Sequence, residues 1–266
     1  MQITHLEAFS LGKAEDGYSE DRLIRTAHHF GVLDGSRGPG YGEADVITAI
    51  MDDAVSMMGA VPKDITLEAL VEAFTALVRA RKIEARFDDL RRTGGFVFCL
   101  YSAHHHEIWR VGDCKFRLRG ETNAKFWRTE ELCAETRAMM IRSMRYDGLS
   151  EAEIMAHEAY DQLIAAPLSC EANYLNRDDD DAAFGAIIGT AVPAPFIERY
   201  PAQSGRLVIT SDGYPALFDT LADSEAHLAA LLTQDPLCIG INLQCKGLGP
   251  GRVSFDDRSY ISADLG

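Results

Sequence analysis

Phe30-Gly31-Val32-Leu33-Asp34-Gly35 reads as a short buried strand that runs straight into an Asp-Gly turn. Three other segments also set acidic residues at the tip of an apolar run. They are Ser19-Glu20-Asp21, Leu207-Val208-Ile209-Thr210-Ser211-Asp212-Gly213, and Phe255-Asp256-Asp257 ahead of Arg258-Ser259-Tyr260-Ile261. Taken singly, each is an ordinary strand-ending turn or a solvated charge, because Asp-Gly is common turn chemistry. The signal lies in their conjunction, their order and the apolar strand attached to each.

Carboxylates crowded at the ends of core strands repel one another and raise each other's pKa values. A hard divalent cation relieves that repulsion, since Mg²⁺ and Mn²⁺ take oxygen ligands from a few carboxylates and water. In an Asp-Gly pair the aspartate supplies a carboxylate and the glycine lets its own carbonyl come close.

Composition sets the frame. The 266 residues are enough for one large domain, and 47% apolar with 25% charged residues is ordinary for a globular chain. Lys+Arg number 26 against 41 Asp+Glu, a net charge of −15. Such a surface repels nucleic acid and anionic membrane. The six cysteines, Cys99, Cys114, Cys133, Cys170, Cys238 and Cys245, have neither zinc-finger nor disulfide-framework spacing, so a reducing compartment is expected. No secretory leader follows Met1 and no apolar run is long enough to span a bilayer, so the expected location is the cytoplasm.

Along the chain, strands are expected at 3–11, 22–27 and 30–33, then a loop over 36–42. Two amphipathic helices follow. Val46, Ile47, Ile50, Ala54, Met57 and Met58 mark the first, stopped by Gly59; Leu67, Leu70, Val71, Phe74, Leu77 and Val78 mark the second, capped by Thr66. Strands return at 96–101, 108–111 and 116–119, with His104-His105-His106 in a hairpin turn and Gly112-Asp113 at a bend. Residues 130–175 read as helical, with a capping box at Ser150-Glu151-Ala152-Glu153. Short strands close the chain around one more helix, Asp223–Leu232. Grouped helices and close-spaced strands give an α+β fold: two packed antiparallel sheets flanked by pairs of helices, a four-layer α-β-β-α sandwich. The chain is expected to be a single domain, 1–266, with a helical insert or flap around 130–182.

The ordered set Ser19-Glu20-Asp21, Val32-Leu33-Asp34-Gly35, Arg110-Val111-Gly112-Asp113-Cys114, Ile209-Thr210-Ser211-Asp212-Gly213 and Asp256-Asp257-Arg258-Ser259-Tyr260-Ile261 resembles the type 2C (PPM) metal-dependent protein phosphatases. The likeness runs from about Ile3 to the C-terminus, with two long helices between the second and third motifs. It implies a Ser/Thr phosphoprotein phosphatase that activates water at a dinuclear Mn²⁺ or Mg²⁺ centre, with two metals per chain and a weaker third. Asp34 would bridge both metals and Gly35 would lend its carbonyl. Asp212 and Asp256 would hold one metal, Glu20 and Asp21 the other, and Asp113 the third. Asp34 and Asp212 would be catalytic through metal-bound water. The implied partner is a phosphorylated protein, with no nucleic acid and no membrane.

The chain departs from the family pattern at three positions. Asp16 stands where many members carry a phosphate-gripping arginine, Ser36 where many eukaryotic members carry a histidine, and Cys114 where serine is usual. Lys13 is one basic residue that could compensate for Asp16. The absent arginine keeps a second substrate class open, a small phosphorylated metabolite. A non-catalytic binding module of the same fold is a further alternative, opposed by the retention of every main ligand position. An N-terminal-nucleophile hydrolase would need Thr4 to be exposed by processing. His28-His29, beside the second motif, is a candidate to approach the site. Asp178–Asp181 reads as solvated charge, and Trp109 and Trp127 as packing.

Overall fold

Side-chain alternation builds two sheets. In the computed structural model, which describes residues 3–38, 44–157 and 160–266, the chain begins with β1 (Ile3–Leu11), β2 (Arg22–Arg25) and β3 (His29–Ser36). Helices α1 (Ala44–Ala60) and α2 (Leu67–Glu84) precede β4 (Gly95–Ser102), β5 (Glu107–Val111), β6 (Lys115–Leu118) and β7 (Glu121–Asn123). Then come α3 (Arg128–Tyr146), α4 (Glu151–Met155), α5 (Ala165–Cys170), β8 (Glu198–Pro201), β9 (Gly205–Thr210), α6 (Leu221–Gln234) and β10 (Arg258–Leu265). One sheet has the order β1-β10-β9-β6-β7 and the other β2-β3-β4-β5-β8. Every pairing in both is antiparallel.

The central strands are buried on both faces, as the apolar run at 96–101 predicts. All eight residues of β4 are buried. Val97, Cys99 and Tyr101 point into the layer between the sheets with Phe30, Val32, Ile209 and Ile261. Phe96, Phe98 and Leu100 point outward to Ile50, Met58, Leu70 and Phe74 of α1 and α2. Over the other sheet, Leu228 and Leu231 of α6 cover Val208 and Tyr260, with Tyr214 and Phe255 from the flanking loops completing the layer. The expected α+β sandwich is therefore the fold. Among the described residues, no helix is long and apolar enough to cross a membrane.

Local signals set the helix ends. The Thr66 side chain accepts from Ala69 N at 3.3 Å, and the Ser150–Glu153 capping box is formed in both directions. Tertiary context moved other boundaries. Gly59 lies inside α1, and β3 continues through Asp34 and Gly35, which pair with Val97 and Phe96 rather than turning. The bend at Gly112-Asp113 joins strands of different sheets: β5 pairs β4 and β8, while β6 pairs β7 and β9. The loop expected over 36–42 lies outside the described residues beyond Gly38.

Candidate metal centre and its cleft

Both Asp-Gly pairs are close-packing solutions. A Cβ on Gly35 would stand 2.5 Å from the Glu20 carbonyl oxygen, and one on Gly213 would stand 2.0 Å from that of Asp257. The missing side chains thus let the tip of β3 rest on the first motif and the tip of β9 on the last. Asp257 fastens the same corner. Its Oδ1 accepts Lys13 N at 2.8 Å and its Oδ2 accepts Glu20 N at 3.0 Å. The amide of Asp212 donates to Asp34 Oδ2 at 3.3 Å.

The acids so gathered are buried and mutually repulsive. Burial, then the charges of Asp212, Asp21, Asp113 and Asp256, push the Asp34 carboxyl well above the usual range. Burial and the Asp257 charge raise Asp21 to about 8, the hydroxyls of Ser211 and Ser259 offsetting this only in part. Those hydroxyls are engaged elsewhere: Ser211 Oγ accepts Ser259 N at 2.9 Å, and Ser259 Oγ shares a 2.8 Å hydrogen bond with Ser10 Oγ. Both carboxylate oxygens of Asp21 are left buried without a partner at hydrogen-bonding geometry. Burial and Asp212 raise Asp113 to about 7, and burial and Asp256 raise Asp212 to about 6.

Asp256 is the exception. Burial alone would raise it, but Lys13 and Lys246 outweigh burial and hold it well below the usual carboxylate range. Lys13 Nζ lies 3.1 Å from its Oδ1 and Lys246 Nζ 2.8 Å from its Oδ2. Glu20 is likewise taken, by an ion pair with Arg37 Nε.

The donor set suits a hard divalent cation: all oxygen, acidic, and including two orphaned carboxylate oxygens on Asp21. It is not a ready-made cage. Among the described residues, no three His, Cys, Asp or Glu side chains converge as metal ligands. Asp256 and Glu20 would have to turn from their basic partners to join Asp34, Asp21, Asp212 and Asp113.

A cleft of about 540 Å³ is lined by Glu20, Asp113, Asp212 and Asp256, and the helical segment forms one wall through Trp127, Glu130, Ala165, Leu168 and Glu171. Sequence reasoning missed three of its acids, Glu130, Glu131 and Glu171. Burial, Asp113 and Glu171 push Glu130 well above the usual range, and burial raises Glu171 to about 7. Nothing in the first turn of α3 distinguishes Glu130 from Glu131 beforehand.

Other candidates fall away from the site. His29 sits at the opposite end of β3, its ring 5.8 Å from that of Trp109, and His28 is exposed in the turn before it. Neither approaches the acids, because the strand's length separates them from Asp34. Asp16 is exposed and only shapes a turn, its Oδ1 accepting Tyr18 N at 3.0 Å. Ser36 accepts Gly38 N at 3.1 Å. Cys114 is packed between the sheets, and burial pushes its thiol far up, which leaves it inert. Asp178 to Asp181 are exposed, as expected of solvated charge.

No protein-family model and no curated protein matches the sequence. Solved structures do match. The Mycobacterium tuberculosis serine/threonine phosphatase PstP/Ppp aligns with 100% of this chain and 99% of its own at 15% identity and a TM-score of 0.52. The PstP catalytic domain in complex with two manganese ions aligns over 98% and 97% at 17% identity and a TM-score of 0.51. Stp1 of Staphylococcus aureus aligns over 100% and 98% at 14% identity and a TM-score of 0.50. At these identities the likeness is one of fold, and it covers the whole chain: this protein has the fold of the PPM Ser/Thr phosphatases.

Proposed function

We propose that the chain is a metal-dependent phosphoester hydrolase acting on phosphoserine or phosphothreonine in proteins. The observation that carries this reading is the meeting of Asp34 and Asp212 from opposing sheets, with Asp21, Asp113 and Asp256 as acidic neighbours of Asp34. In this reading Asp34, Asp212, Asp256, Glu20, Asp21 and the Gly35 carbonyl would hold two divalent cations. Asp113 serves a weaker third. A matched structure with two manganese ions supports that stoichiometry. Such cations supply water activation at neutral pH and neutralise charge on a transferring phosphoryl group.

The chain's own residues then have distinct tasks. Asp257 ties the first motif to the last through two backbone amides. Lys115 fixes the β9 tip by donating to the Asp212 and Tyr214 carbonyls at 3.0 and 2.7 Å. The segment around 130–182 acts as a flap on one catalytic domain, narrowing the cleft. The experiment is a substrate panel with added Mn²⁺: phosphoserine and phosphothreonine peptides against small phosphorylated metabolites. Faster turnover of the peptides supports the protein-phosphatase reading, and turnover confined to small phosphoesters replaces it with the metabolite one.

A further inference from the structure

Three cations enter the cleft from separate segments: Lys13 from the end of β1, Arg37 from the end of β3, and Lys246 from the loop between α6 and β10. Each is paired with a carboxylate assigned above to metal binding, Arg37 with Glu20 and both lysines with Asp256. Asp256 has no oxygen to spare. Its Oδ1 also accepts Asp257 N at 2.9 Å, and its Oδ2 faces Lys246. A carboxylate turned toward a divalent cation must give up such partners, and the cation's charge repels the ammonium or guanidinium left behind.

Two of the four other basic residues that line the cleft, Lys115 and Arg137, are built differently. Lys115 gives its ammonium to the Asp212 and Tyr214 carbonyls. Arg137 gives its guanidinium to the carbonyls of Leu237 and Gln244 and to the Tyr160 hydroxyl. Both are buried, and metal binding leaves those neutral partners in place. Lys13, Arg37 and Lys246 are instead long, partly exposed side chains paired with the acids that metals claim, Lys13 also lying 3.4 Å from Asp257 Oδ1.

We infer that Lys13, Arg37 and Lys246 form the anion-binding half of the site, changing partner from Asp256 and Glu20 to the oxygens of a phosphoryl group. This rests on the phosphatase reading. Ammonium and guanidinium donors make charge-assisted bonds to phosphate oxygens, and Arg37 offers a planar fork for two of them. The ligand class is a phosphomonoester dianion or its inorganic phosphate product.

The test uses the full chain with saturating Mn²⁺ and inorganic phosphate as the probe, read by calorimetry. Lys13→Gln, Arg37→Gln and Lys246→Gln are each expected to weaken phosphate binding roughly 10-fold or more. Lys246→Arg should recover most of the loss. In a separate titration, Mn²⁺ should bind Lys13→Gln and Lys246→Gln as tightly as wild type or more so, because a competitor for Asp256 is gone. This opposite response is one that a structural prop would not give. Unchanged phosphate affinity in the variants, or Mn²⁺ and phosphate affinity falling together, overturns the inference. If wild type hydrolyses an aryl phosphate yet the variants bind phosphate normally, only this inference fails. If Mn²⁺-loaded wild type neither binds phosphate nor hydrolyses the ester, the phosphatase reading falls with it.

Discussion

The Asp212 amide donates to Asp34 Oδ2 across 3.3 Å, although Asp34 lies within β3 of one sheet and Asp212 just past the end of β9 of the other. The contact exists because β3 and β9 stop at the same edge of the sandwich, where their glycines pack on the backbones of Glu20 and Asp257. Five motifs spread from Ser19 to Ile261 thereby become one place. The stability of that place depends on what balances its charge.

Asp21 is the most direct probe of that balance. Its buried, unpartnered carboxylate is a liability in the protein alone and an asset to a cation. Asp21→Asn is expected to raise the melting temperature in excess chelator at pH 8 and to shrink the rise produced by Mn²⁺. Thermal melts with and without metal check both signs. A variant that melts lower in chelator and gains as much from Mn²⁺ as wild type contradicts the assignment.

His29 gives the chain an acid-sensitive element remote from the metals. Burial, then the charges of His28 and His105, lower its pKa from 6.5 to about 4, and its Nε2 has no partner. Below pH 6.5 the unfolded chain takes up the proton and the folded chain does not, so stability present above 6.5 is lost down to about pH 4. The full loss is about 3 kcal/mol. Urea titrations of wild type and His29→Phe between pH 7 and 4 should differ by a term of this sign and size. Parallel pH profiles would show that His29 contributes none of it.

Gly213→Ala tests the packing that joins β9 to the last motif. The new Cβ would meet the Asp257 carbonyl oxygen at 2.0 Å and Arg258 Cβ at 3.0 Å, and one of those atoms is backbone. A loss of about 2–3 kcal/mol is expected, read as a lower urea midpoint with the slope preserved. An unchanged midpoint would mean that the two tips are not pressed together.

Arg137 holds the helical segment to the loop that carries Lys246. It donates to the Leu237 carbonyl at 2.8 Å and the Tyr160 hydroxyl at 2.7 Å, and its guanidinium lies 5.0 Å from the centre of the Tyr160 ring. Arg137→Met leaves those acceptors unsatisfied. Native-state hydrogen exchange should then quicken in α3 and around Leu237 while the two sheets keep their protection. Uniform quickening everywhere would assign Arg137 to global stability instead.

The fold was largely legible because the sheets bury both faces of continuous apolar runs and the helices carry one apolar stripe each. What escaped was set by distant contacts. Gly112-Asp113 resembles a hairpin bend, yet β6 leaves for the other sheet because its partner is β9, about ninety residues on. β7, Glu121-Thr122-Asn123, is short and polar and carries no strand signal. At the site, the acidic tips were readable as strand ends bearing carboxylates in a fixed order. Glu130, Glu171 and Lys246 were not, because they reach the cleft from a helix, a 3₁₀ turn and a glycine-rich loop whose placement no local pattern encodes. Asp257, which the motif reading left unassigned beside Asp256, is a clamp on the Lys13 and Glu20 amides that only the tertiary contacts reveal.

The most direct measurement is the initial rate of aryl phosphate hydrolysis by purified protein with and without Mn²⁺, set beside Asp34→Ala and Asp212→Ala. The account predicts metal-dependent hydrolysis by wild type and rates at the metal-only background for both variants. Metal-loaded wild type that turns over no faster than Asp34→Ala would contradict it.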